Sequence, residues 1–203
     1  VMLDTQVTEL DAAAKSLTCA NGATIAFSKA VICTGSRPRA LPIPGSELKN
    51  IFDLRTIADI EAMRPHFKPA AKMVVVGGGY IGLETAASAR QLGVDVTIVE
   101  AAERVLERVT KPELSKFFHQ LHLDEGVEII TSSHVSCFAG ETHVSGVTLN
   151  TGALVPADLV VLGIGIVPNV ELAETAGVSV DDGIVVDALG RTSHTDIYAA
   201  GDC

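Results

Sequence analysis

Three glycines at a fixed spacing, with one acid beyond them, are the residues of this sequence best suited to chemistry. Gly77, Gly79 and Gly82 stand at G-x-G-x-x-G spacing within Gly77-Gly78-Gly79-Tyr80-Ile81-Gly82-Leu83-Glu84. Gly77 permits a tight turn, Gly79 lets the backbone approach a diphosphate, and Gly82 lets a helix pack closely on a strand. Unpaired amides at the start of that helix, together with its dipole, favour phosphate charge there. Glu100 lies at about the distance where an acid meets the adenosine ribose of a dinucleotide. A carboxylate there accepts hydrogen bonds from a free 2′-hydroxyl and repels a 2′-phosphate, which favours NAD over NADP. Arg104 and Arg108 lie just beyond and could answer a phosphate. Arg104 is equally readable as a solvated surface charge.

These residues need elements to position them, and the flanking sequence supplies the elements. Met73 to Val76 is a short apolar run rich in β-branched residues, as a parallel strand covered on both faces requires. An alanine-rich helix over Leu83 to Leu92 follows, Gly93 stops it, and Val94 to Val99 is a second strand that delivers Glu100. The alternative, a glycine-rich turn without a ligand, does not account for strand, turn, helix and acid occurring together. Asp158 to Ile164 is another buried strand, ending in Gly163-Ile164-Gly165, where the backbone either runs beside a ligand or simply turns.

The remaining chain is read in the same way. Gln6 to Leu10, Ser16 to Ala20 and Thr24 to Ala26 suit a small antiparallel sheet, with Asn21-Gly22 as a hairpin turn. Lys29 to Cys33 reads as a buried strand leading into Thr34-Gly35-Ser36-Arg37-Pro38-Arg39, and Pro38, Pro42, Pro44 and Gly45 suggest a linker. Asp59 to Met63 has helical character, stopped by Pro65 and Pro69. Pro112 opens a helix through Leu121 or Leu123, Gly126 ends it, and Val127 to Ile130 is a strand. Val144 to Leu149 and Ala153-Leu154 form a hairpin around Asn150-Thr151-Gly152. Asn169 to Ala176 is a short helix, and Gly183 to Asp187 and Ile197 to Ala200 are final strands. Leu114, Phe117, Phe118 and Leu121 fall at helical spacing and read as core.

With 203 residues, 47% of them hydrophobic, the chain can bury a sizeable core, and with 4% aromatics and no Trp that core is aliphatic. A net charge of −10 argues against a nucleic-acid or anionic-membrane partner. No apolar run approaches a membrane span and no signal peptide opens the chain. Cys19, Cys33, Cys137 and Cys203 share no C-x-x-C spacing, so reduced, buried thiols in a cytoplasmic protein are expected. His119 and His122 lie at i, i+3 without a carboxylate or cysteine at metal-ligand spacing, which reads as a helix-surface pair and not a metal site. The sequence opens on Val1 and stops at Gly201-Asp202-Cys203, which suggests a segment of a longer protein.

Three stretches in fixed order carry a family resemblance that covers essentially the whole chain. Thr34-Gly35-Ser36-Arg37-Pro38-Arg39, Gly77 to Glu84, and Tyr198-Ala199-Ala200-Gly201-Asp202 resemble the landmarks of the flavin-dependent pyridine-nucleotide reductases. Leu54 to Asp59, Gly163 to Asn169 and Asp182 to Asp187 look like the ferredoxin reductase branch (rubredoxin and putidaredoxin type), which serves oxygenases and cytochromes. Disulfide reductases usually carry an arginine where Ile164 stands. The resemblance implies an α/β protein. Its Rossmann-like NAD-binding domain, a central parallel sheet with an antiparallel hairpin layer, is flanked by a partial FAD-binding domain. The expected boundaries are 1–40 for the first FAD-domain piece, 41–165 for the NAD-binding domain and 166–203 for the returning FAD-domain segment. The glycine loop that seats the FAD diphosphate would precede Val1, so tight flavin binding by this chain alone is not expected.

By the same resemblance, Gly77, Gly78, Gly79, Tyr80, Ile81, Gly82, Glu84, Glu100, Arg104, Gly163, Ile164 and Gly165 hold NAD, with Glu84 near the nicotinamide. Val7, Thr34, Gly35, Arg37 and Asp202 lie along FAD. Glu84 is also readable as an acid answering a helix dipole, and Asp202 as a loop cap. The implied reaction is hydride transfer from NADH to FAD, then single electrons to a ferredoxin-like iron–sulfur acceptor, and no side-chain nucleophile or acid–base pair is required. The alternatives are the NADH module of a nitrite or disulfide reductase, and an NAD-sensing flavoprotein like apoptosis-inducing factor. The residues leave the oligomeric state open, a homodimer included.

Overall fold

The computed structural model describes residues 1–203, which divide into two compact units, Pro38–Gly165 and the pair of segments Val1–Arg37 and Ile166–Cys203. In chain order the strands up to the glycine turn are β1 (Val7–Asp11), β2 (Ser16–Cys19), β3 (Thr24–Ala26), β4 (Ala30–Ile32), β5 (Ser36–Pro38), β6 (Ile51–Asp53) and β7 (Lys72–Val76). Helix α1 (Ile57–Met63) precedes β7, and α2 (Tyr80–Gln91) follows it. Then come β8 (Asp95–Val99), α3 (Pro112–Asp124), β9 (Glu128–Ile130), β10 (Val135–Gly140), β11 (Val144–Leu149), β12 (Leu154–Pro156) and β13 (Leu159–Leu162). Strand β14 (Ile166–Pro168), helix α4 (Glu171–Thr175) and β15 (Ile197–Ala199) complete the order.

The unit Pro38–Gly165 is built on a five-stranded sheet in the order β6-β13-β7-β8-β9, parallel throughout. Its central strands β7 and β13 are apolar without alternation because both faces are covered. Met73 and Val75 join a cluster with Leu83, Ala86 and Ala89 of α2, whereas Val74 and Val76 pack with Phe138, Val147 and Leu149 of the antiparallel sheet β10-β11-β12. Val74, Val75, Val160 and Val161 are fully buried, each stabilising the fold by up to roughly 1.5–3 kcal/mol of transfer free energy. Small residues on α2 let it lie close to the sheet. The parallel crossovers leave the carboxyl ends of β7 and β13 side by side, paired through Val76 and Leu162.

The other unit holds the antiparallel sheet β1-β2-β3, turned at Gly22 with φ +82°, and a parallel pair of β4 and β15. Its core is Leu10, Ile32, Ala173, Val178, Ile184, Ile197 and Ala199. Strand β5 pairs with β14.

Several local expectations are corrected. Leu114, Phe117 and Leu121 are 43–59% exposed, and α3 instead buries Ser115 and His122. Both polar side chains find carbonyls: Ser115 Oγ donates to Val105 O at 2.5 Å, and the His122 ring nitrogens lie 2.8 and 3.1 Å from the Phe118 and Leu83 oxygens. A buried polar group so partnered costs little, so the apolar stripe is free to stay outside. Gly183 to Asp187 is not a strand; Ile184 makes a single bridge to Val180, and Asp187 turns the chain by accepting the Leu189 and Arg191 amides. Val31 is 62% exposed, so β4 is buried on one face only. Among the cysteines, which form no disulfide, Cys19 alone is buried, and Cys33 is exposed.

Candidate functional site

The turn after β7 is held open by mutual contact among glycines. Gly77 adopts φ +107°, a left-handed conformation that side chains resist. A Cβ there would stand 2.4 Å from the Gly163 carbonyl oxygen, and a Cβ at residue 82 would stand 2.0 Å from the Gly77 oxygen. Residues 77, 82 and 163 therefore form one close-packed knot that fastens α2 to β7 and β13. Gly163 also donates its amide to Val76 O at 2.8 Å. Gly79 differs from these three. It caps α2 with ordinary φ −78°, makes no side-chain cap, and faces no atom within 4 Å of where a Cβ would be. The space is a ready seat for an anion, and the first-turn amides of α2 have no partner within the helix.

Glu100 closes this arrangement. One carboxylate oxygen accepts the Gly78 amide at 2.5 Å, and the other accepts the Ala102 amide at 2.7 Å. A carboxylate has about four acceptor directions, so each oxygen retains about one for a hydroxyl. The acid is thereby fixed before any ligand arrives, and it is half-buried.

Tyr80 and Ile81 open α2 and are 52% and 42% exposed, and Glu84 is exposed one turn on. Ile81 and Glu84 line a cleft of about 500 Å³ between α1 and α2, with Leu54, Arg55, Ile57 and Ile60 opposite. Ile164 is half-buried beside the β10-β11-β12 cluster, and Gly165, at φ +99°, accepts the Arg39 amide at 3.0 Å. Arg104 donates to the carbonyls of Thr110 and Glu107, both at 3.0 Å, and Arg108 is exposed. Two acids stand near the cleft. Burial first, then the Asp59 charge, pushes the Asp53 carboxyl above its usual value. The amides of Thr56 and Arg55, then the Thr56 hydroxyl, hold Asp59 below its own.

The residues expected along a flavin all belong to the other unit. Thr34 donates its hydroxyl to Asn169 O at 2.6 Å, and Asn169 returns its amide to Thr34 O at 3.0 Å. Arg37 donates to Asn169 Oδ1 at 2.6 Å and pairs with Glu171 at 2.8 Å. Glu171 is held below the usual carboxylate range by its own backbone amide and by Arg37. Gly35 adopts φ +64°, and Ser36 Oγ lies 3.5 Å from Asp202. Asp202 is exposed and follows Gly201, which adopts φ +92° with no atom within 4 Å of where a Cβ would stand. Val7 begins β1 opposite Cys19, at a register shift. Asn169 is the hub of this network. A lone Asn after Pro168 carries no periodic signal, and only its partners 132 and 135 residues away reveal it.

A parallel sheet whose glycine turn presents free amides, with an acid clamped to the same turn, defines a dinucleotide-binding α/β protein. The whole chain, residues 1–203, matches the family described as pyridine nucleotide-disulphide oxidoreductase, and it belongs to that family. It is 42% identical over 205 residues to putidaredoxin reductase of Pseudomonas putida, covering 98% of this chain and 49% of that protein. It is 38% identical to a rubredoxin-NAD(+) reductase of the same organism, covering 100% of this chain and 53% of the relative. The crystal structure of a ferredoxin reductase from Rhodopseudomonas palustris superposes with TM-score 0.94 at 39% identity, over 99% of this chain and 50% of that one. The chain thus spans about half the length of the relatives it matches.

Proposed function

We propose that this chain is the coenzyme-binding part of an NADH-dependent, FAD-containing reductase that passes electrons to a ferredoxin-like iron–sulfur protein. One observation carries the reading. The Gly79 amide end of α2 is open while the Gly78 amide and both Glu100 oxygens are mutually fixed, which is the arrangement a diphosphate and a ribose diol require. In this reading Gly77, Gly78, Gly79 and Gly82 shape the diphosphate seat, Glu100 takes the ribose hydroxyls, and Tyr80, Ile81 and Glu84 face the nicotinamide half. Gly163, Ile164 and Gly165 supply backbone beside the ring.

On the flavin side, the open backbone at Gly201 and the exposed Asp202 carboxylate suit a ribityl or ribose hydroxyl. The Thr34–Arg37 loop, knit to Asn169, would line the isoalloxazine and its chain. When bound, FAD supplies the step between two-electron and one-electron chemistry; the residues named here bind and orient. The names of the relatives, which act on putidaredoxin and rubredoxin, favour an iron–sulfur or rubredoxin-like acceptor. No helix is long and apolar enough to cross a membrane, and a cytoplasmic location belongs to the same proposal.

Rapid mixing of the intact flavoprotein containing this chain with NADH tests the reading. Bleaching of the flavin that saturates with NADH, and runs faster than with NADPH, is expected. A flavoprotein left oxidised by NADH would favour a sensing role instead.

A further inference from the structure

The loop 101–111 after Glu100 is held by hydrogen bonds within itself and to its neighbours, Val109 and Thr110 donating their amides to Leu106 O. Leu106 donates its amide to Gly78 O at 2.9 Å, and does so from a left-handed conformation, φ +55°. Ser115 of α3 donates to Val105 O, and the Arg104 fork reaches the Glu107 and Thr110 carbonyls. Val105 is fully buried beneath the turn, its Cγ1 2.9 Å from where a Cβ on residue 78 would stand. Gly78 is therefore gripped from both sides, its amide by Glu100 and its carbonyl by Leu106.

That grip fixes the next amide. The peptide bonds are all trans, so the Gly79 N–H points opposite to the Gly78 carbonyl. With that carbonyl turned to Leu106, the Gly79 N–H faces away from the loop. Glycine backbone would otherwise permit this peptide to flip at little cost.

Resting on the dinucleotide reading above, we propose that Arg104 is a positioning residue and not a phosphate ligand. It closes the 104–110 loop on its own carbonyls, holds Leu106 against Gly78, and so keeps the Gly79 amide aimed at the diphosphate. A flat guanidinium suits two diverging carbonyls, and a lysine ammonium does not replace that fork.

The test compares wild type, Arg104→Gln and Arg104→Lys in the full chain. NADH affinity is measured by fluorescence at several ionic strengths, and Leu106 amide exchange is measured by NMR without coenzyme. The proposal expects both variants to bind NADH roughly tenfold more weakly, as the loss of one hydrogen bond from a charged guanidinium implies. It also expects an unchanged salt dependence and a Leu106 amide that exchanges faster. A lysine variant with wild-type affinity, or a glutamine variant whose salt dependence falls, would mean direct charge contact with phosphate and overturn it. Unchanged affinity in both variants would overturn it as well. Should Arg104→Gln not fold, Ser115→Ala loosens the same loop without a charge change and must weaken NADH in the same sense. A wild type that ignores NADH would sink the dinucleotide reading, while Leu106 exchange would still decide whether Arg104 holds the loop.

Discussion

Glu100 does two jobs with one carboxylate. It already accepts two backbone amides, and its remaining acceptor directions suit the vicinal hydroxyls of an adenosine ribose. A 2′-phosphate would bring negative charge against a half-buried negative group. Glu100→Gln removes that repulsion and replaces one acceptor by a donor facing an amide. NADH is expected to bind about ten times more weakly, and NADPH to lose less or gain, so their ratio narrows, as paired titrations would read. The glycine spacing and this acid were legible in the sequence because each residue type answers a local steric or charge demand. The roles of Arg104 and Asn169 were not, since both act through carbonyls and amides that only the folded chain assembles.

At the scale of elements, the two ends of one motif separate folding from binding. A Cβ on residue 82 would stand 2.0 Å from the Gly77 oxygen, and that oxygen is backbone in a packed knot. Gly82→Ala is expected to cost about 3 kcal/mol or more, seen in denaturant melts. Gly79 meets nothing and has an ordinary φ, so Gly79→Ala is expected to keep stability within about 1 kcal/mol while losing most NADH affinity. Helix α1 offers a third case. Thr56 and Asp59 form a reciprocal capping box, and Thr56→Ala is expected to cost about 1 kcal/mol. Asp59 is held below its ordinary value, so its contribution is complete above the usual carboxylate range and lost as pH falls through the lowered value. A local α1 probe in the Thr56→Ala variant should show a smaller acid-induced loss than wild type. Elements with a long period, β7, α2 and β8, were readable in advance. Strands β5 and β14 were not, since each ends on a proline that reads as a break, nor was β6, which pairs only with β13 far along the chain. Strand β10, though six residues long, mixes small and polar residues and carries no clear alternation.

For the molecule as a whole, the two-sided burial of the central sheet follows from sequence, whereas the choice of helix face does not. Of the four apolar residues with the spacing of a core face, Phe118 packs against the core while Leu114, Phe117 and Leu121 stay largely exposed, and Ser115 and His122 turn inward beside it. Periodicity measures amphipathicity; which face is buried depends on partners elsewhere. Phe117→Ser is therefore expected to shift the unfolding midpoint little, since more than half of the side chain is already in water. Binding links the site to global stability. At a hundred times its dissociation constant NADH should add about 2.7 kcal/mol, and the gain should vanish in Gly79→Ala.

Calorimetric titration of NADH into the folded chain addresses the dinucleotide site most directly. A single saturable event with micromolar affinity, weaker for NADPH, is the result expected from an open Gly79 seat beside a clamped Glu100. Flat heats from a sample whose circular dichroism shows it folded would contradict it.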